Sequence, residues 1–110
     1  MRSRSSTTTE RLRPAIKLPP IHPGEVLAEE LAELGLSANA FARALDVPAN
    51  RITEILNGKR AVSADTALRL ARYFRTTAKL WLNLQQSYEL AMAERSVGKA
   101  IARSVRPRAA

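Results

Sequence analysis

The chain has no cysteine, a single histidine and no long apolar run. Without cysteine there are no disulfides and no thiolate metal sites. One histidine and scattered acids form no cluster at metal-ligand spacing, and no serine or cysteine is placed as a nucleophile beside the imidazole. His22 itself, directly before Pro23, reads as a turn or packing residue. No apolar segment approaches the roughly 20 residues of a membrane span. The Arg-, Ser- and Thr-rich start is followed by no hydrophobic region, so it does not read as a secretory signal. These absences point to a cytoplasmic binding protein, not an enzyme, with no cofactor and no metal.

The net charge is +8, which favours a polyanionic partner. Its distribution is uneven. Residues 1–20 carry five basic groups against one acid, and residues 95–110 carry five basic groups and no acid. Residues 21–94 are close to neutral, with eight basic and nine acidic groups. The chain therefore divides into a disordered basic N-terminal tail (1–20), a folded domain (21–94) and a basic C-terminal tail (95–110). Two readings of the tails are open, a DNA-binding arm and a solubilising terminus.

The most informative stretch is Phe41 to Lys59. Phe41, Ala42 and Leu45 share one helical face; Asp46-Val47-Pro48 breaks the pattern; Ile52, Ile55 and Leu56 resume it; Asn57-Gly58 ends it. Helix, short turn and second helix make a helix-turn-helix, whose second helix can enter a DNA major groove. With Ile52 and Ile55 turned to the core, Asn50, Arg51, Thr53, Glu54 and Asn57 remain outside. Asn can pair with adenine, Arg with guanine, and Thr can touch a thymine methyl. A solvated polar face is the competing reading. Glu54 would repel phosphates, though it can accept from cytosine.

The flanking segments read as further helices. Pro23 suits a first helical position, Val26, Leu27, Leu31 and Leu34 form an inner stripe, and Gly35 suits a C-terminal cap. Ser37, Ser63 and Thr77 are N-cap residues for three later helices. Arg69, Arg72 and Arg75, three apart, share a face that is either solvated or turned to an acidic partner. In the last helix Leu80, Trp81, Leu84, Tyr88 and Ala91, with Met92, recur at helical spacing. That stripe exceeds what a small core can cover, so Leu80, Trp81, Leu84 and Tyr88 are candidates for a dimer interface. From Glu94 on the chain turns polar and basic, and Pro107 stops any helix.

Ile21-His22-Pro23-Gly24-Glu25-Val26-Leu27, Asn57-Gly58-Lys59-Arg60, Asp65 to Ala71 and Trp81-Leu82-Asn83-Leu84-Gln85 together resemble the HigA/VapI-type antitoxins of the Xre helix-turn-helix group. The resemblance spans roughly residues 21–95. It implies an all-α, compact, five-helix, lambda-repressor-like domain with flexible basic tails. It further implies a cytoplasmic homodimer that binds operator DNA, represses its own operon and neutralises a RelE-like, messenger-RNA-cleaving toxin. Base reading would fall to Asn50, Arg51 and Thr53, and backbone contacts to Asn39, Arg43, Lys59 and Arg60. Two positions depart from the group. Ala38 stands where a phosphate-contacting Gln is frequent, and Arg75 stands where Gly usually follows the fourth helix. The acidic face of Glu25, Glu29 and Glu33 is either a site for a basic toxin or an ordinary solvated face. A stand-alone regulator without a toxin, and a purely protein-binding helical module, are the alternatives.

Overall fold

The computed structural model describes residues 19–109. Five helices run in order: α1 (Pro23–Leu34), α2 (Ala38–Leu45), α3 (Ala49–Leu56), α4 (Ala64–Phe74) and α5 (Ala78–Ser104). No strand occurs among the described residues. The expected N-terminal tail lies almost wholly outside them.

Local chemistry starts and stops each helix. The side chains of Ser37, Ser63 and Thr77 accept backbone N–H groups at Ala40, Thr66 and Leu80, and so cap α2, α4 and α5. The ends of α1, α2 and α4 are closed by Gly35, Asp46 and Arg75 in the left-handed region, and Gly58 closes the turn after α3. At the end of α3 the Lys59 N–H donates to Glu54 O and the Gly58 N–H to Ile55 O, a Schellman closure that explains the Asn57-Gly58-Lys59 run. Asp tolerates a positive φ better than most residues. Arg75, at φ 60°, does not share that tolerance and holds a conformation costing roughly 1–2 kcal/mol.

The core joins all five helices. Leu27 and Leu31 of α1, Phe41, Ala42 and Leu45 of α2, Ile52 and Ile55 of α3, Ala67 and Leu70 of α4, and Trp81 of α5 are buried together with Val62. Aromatic contacts bind α2, α4 and α5: Phe41 packs on Tyr73 and Phe74, and Phe74 on Trp81. Leu34 was expected on this inner face but is 51% exposed, while Leu31 in the same turn is buried.

Two expectations for the C-terminal region are corrected. Trp81 is not available to a second copy: it is 3% exposed, and its Nε1 donates to Thr76 Oγ1 at 2.9 Å. Nor does the folded part end near residue 94. The helix α5 continues to Ser104, making 27 residues and about 40 Å of rod. The polar composition after Glu94 hid good helix formers, and no proline interrupts them before Pro107. This arm is exposed, and it carries Leu90, Met92, Val97 and Ile101 on a surface the monomer leaves uncovered.

Candidate nucleic-acid interface

The helix α3 lies against α1 and α2 through Ile52 and Ile55, both fully buried. That packing fixes which residues face outward. Asn50 and Asn57 are exposed, and Arg51, Thr53 and Glu54 are half-buried. The three expected base-reading residues thus share the outer side of one helix. The Thr53 hydroxyl donates to the backbone oxygens of Ala49 and Asn50, both at 3.3 Å, so its proton is engaged while its methyl and its acceptor lone pairs stay available to a base.

Arg51 is held in place. Its Nη1 donates to Asp65 Oδ2 at 2.6 Å, across to the first turn of α4. Asp65 also accepts from Arg69 Nε at 2.9 Å. These hydrogen bonds, from Arg69 first and Arg51 second, keep the Asp65 carboxyl below its ordinary range. The same carboxylate raises the Arg69 guanidinium. Glu54, the acid that seemed ill placed beside phosphate, accepts from Arg60 Nε at 2.7 Å, so its charge is partly offset.

The expected backbone contacts flank this face. Asn39 and Arg43 are exposed one helical turn apart on α2, and Lys59 and Arg60 are exposed in the loop after α3. The arginine row of α4 does not form one surface. Arg69 is drawn across to α2, where its Nη1 reaches Leu45 O and Asp46 O; Arg72 is exposed; Arg75 lies beyond the helix end.

The residues that brace the elements around α3 lie before and after it in the chain. His22 is buried and caps α1: its Nδ1 accepts from the Gly24 N–H at 2.9 Å, and Glu25 Oε2 accepts from the His22 N–H at 3.1 Å, closing a capping box. Its ring meets the edge of Tyr88 at 4.8 Å. Tyr88, expected at a dimer interface, is therefore half-buried against its own chain. Gln85 is buried too, and its Oε1 accepts from the Val62 N–H at 2.8 Å, which pins the α3–α4 loop to α5. Sequence reasoning passed over Gln85 and Asp65 as functional positions. Their residues stood in the resembling motifs, but their partners lie 23 and 14 positions away.

Burial pushes the His22 imidazole below its ordinary value near 6.5, because the charged form loses solvation there, while Glu25 pulls weakly the other way. The unfolded chain therefore takes up this proton first. Stability from His22 is complete above about pH 6.5 and is lost as pH falls towards the lower folded value. Urea midpoints measured from about pH 8 down to 5 should fall across that window, and His22→Asn, which can still cap, should flatten the fall. An unchanged slope in His22→Asn would remove this residue as its source.

Val26, Phe74, Leu80, Trp81 and Leu84 line an apolar groove of about 400 Å³ between α1, the end of α4 and α5. Leu80 is 44% exposed there, and Leu84 is half-buried.

A helix-turn-helix family model matches residues 27–81. The chain is 56% identical to virulence-associated protein I of Dichelobacter nodosus over 79 residues, which is 71% of this chain and 73% of that protein. Its structure resembles an addiction module antidote protein of the HigA family from Coxiella burnetii, with a TM-score of 0.81, 54% identity and coverage of 83% of this chain and 100% of that one. It also resembles the Pseudomonas aeruginosa antitoxin HigA solved with the higBA promoter, with a TM-score of 0.79, 47% identity and coverage of 82% and 99%.

Proposed function

We propose that this chain, which belongs to the Xre-type helix-turn-helix family, is a cytoplasmic HigA-like antitoxin that binds operator DNA as a homodimer, represses its own operon and neutralises a RelE-like toxin. The observation that carries this reading is the outer face of α3, where Asn50, Arg51 and Thr53 stand together over a helix anchored by Ile52 and Ile55. The structural likeness to a HigA solved with its promoter supports it.

Function on this reading is binding, without catalysis. Asn50 pairs with adenine, Arg51 with guanine, and the Thr53 methyl packs on thymine. Asn39, Arg43, Lys59 and Arg60 contact phosphates and supply affinity that weakens with salt. The exposed Leu80 with Leu84, beside the α1–α5 groove, supplies the contact between two copies. Helix-turn-helix dimers read half-sites one helical turn apart, so dimer geometry sets operator spacing. For a basic toxin the acidic outer face of α1 remains the candidate. Glu29 and Glu33 are exposed there, whereas Glu25 is engaged in the capping box.

Arg51→Ala should weaken specific operator binding by about 1–3 kcal/mol, that is about 5- to 160-fold. Titration of a labelled upstream duplex checks this, and equal affinity of variant and parent would remove Arg51 from base reading. The antitoxin role is tested by co-expressing this chain with the product of the adjacent gene. Relief of a growth arrest caused by that product alone supports it. No arrest, or no relief, leaves a stand-alone regulator.

A further inference from the structure

Arg51 reaches its place on α3 with help from α4. Its Nη1 lies 2.6 Å from Asp65 Oδ2. The same oxygen accepts Arg69 Nε at 2.9 Å, and Oδ1 faces Arg69 Nη2 at 3.5 Å. Arg69 is itself tethered, since its Nη1 donates to Leu45 O at 2.9 Å and Asp46 O at 3.1 Å in the turn between α2 and α3. One carboxylate therefore ties the turn of the helix-turn-helix, the first turn of α4 and the foremost arginine of the reading helix into a single array.

Stability is a poor explanation for this array. Asp65 is more than half exposed, and exposed ion pairs contribute little to folding. Its position matters more. A carboxylate beside a DNA-facing helix repels phosphates unless its charge is offset, and that of Asp65 is offset by Arg51 and Arg69 themselves. An arginine free in water also loses considerable side-chain freedom when it docks, and one already held in place loses less. A guanidinium has five N–H donors and a guanine edge needs two, so a bond to Asp65 leaves enough for the base.

We infer that Asp65 is a positioning residue for DNA reading: held by Arg69, it fixes the Arg51 guanidinium so that its remaining donors meet a guanine edge in one orientation. The inference rests on the reading of Arg51 as a base contact. Asp65 touches no base. It acts through Arg51, and its charge also disfavours any binding mode in which Arg51 is not seated. Removing that charge lowers discrimination, while affinity for unrelated DNA holds or rises.

The test is a set of anisotropy titrations on the full chain, with a duplex from upstream of its own gene and a scrambled duplex. Four proteins are compared: the parent, Asp65→Asn, Arg51→Ala and the double variant. Asp65→Asn keeps the side-chain shape and an acceptor oxygen in the first turn of α4. It should cut the upstream-to-scrambled affinity ratio about tenfold, with binding to the scrambled duplex unchanged or stronger. In the Arg51→Ala background the same substitution should leave the ratio where it is. If Asp65→Asn keeps the parental ratio while Arg51→Ala collapses it, the positioning role fails and base reading by Arg51 stands. If Arg51→Ala itself keeps the parental ratio, base reading by Arg51 fails, and the positioning role with it. If Asp65→Asn lowers the ratio equally with and without Arg51, Asp65 acts through the fold and the inference is overturned.

Discussion

Gly24→Ala is expected to be among the most damaging single substitutions in this chain. A Cβ at position 24 would lie 1.9 Å from the backbone oxygen of Ile55 and 2.9 Å from its carbonyl carbon. The obstacle is backbone, in the last turn of α3, so no side-chain rotation relieves it. Either the start of α1 or the end of α3 must move. Overpacking of this kind costs about 3 kcal/mol or more. For a domain of this size that corresponds to a fall in Tm of more than about 10 °C. Thermal unfolding followed by circular dichroism checks it, and a variant melting within a few degrees of the parent would show that α1 and α3 are not locked at this point. The physical content of the His22-Pro23-Gly24-Glu25 run is then plain. His22 and Glu25 close the cap, Pro23 sets the first helical φ, and Gly24 lets α1 approach α3 at Ile55.

Trp81→Ala should have an effect of similar size for a different reason. The indole is buried against Phe74 and bonded to Thr76. Its removal leaves a cavity and breaks the bond to Thr76, costing about 3–5 kcal/mol. Leu80→Ala, one residue away but 44% exposed, should cost the monomer fold little. Denaturant unfolding of both variants at several protein concentrations separates the two roles. Trp81→Ala should lower the midpoint at every concentration, as a core residue does, and the loss for Leu80→Ala should depend on concentration if it joins two copies. A mild Trp81→Ala would return this residue to an interface.

The local signals in the sequence carried a good deal of the fold. Ser37, Ser63 and Thr77 cap where their hydroxyls predicted, and Gly35 takes the left-handed conformation. Phe41, Leu45, Ile52 and Ile55, spaced for one helical face, are buried. Such features depend on residues within a few positions of one another. What escaped the sequence depends on distant partners. The stripe through Leu80, Trp81 and Leu84 showed that a face is apolar but not what covers it, and Trp81 proved to be core. The length of α5 is hidden by the polarity after Glu94, although the first proline after it is Pro107. His22 was read as a turn or packing residue. Its capping became visible only with the Gly24 and Glu25 geometry, because imidazole is not a common N-cap. For the candidate site, the outward residues of α3 were legible from helical spacing alone. The tie from Arg51 through Asp65 to Arg69 was not, since α3 and α4 must pack before those charges meet.

The central claim is that the outer face of α3 reads DNA sequence. Its most direct test is fluorescence anisotropy of a labelled duplex from upstream of this gene, beside a scrambled duplex of equal length, at low and at physiological salt. The account predicts a preference for the upstream duplex that survives added salt, because base contacts do not depend on counterion release. Equal binding to both duplexes, disappearing together as salt rises, would contradict it and leave only the net positive charge of the chain as the source of binding.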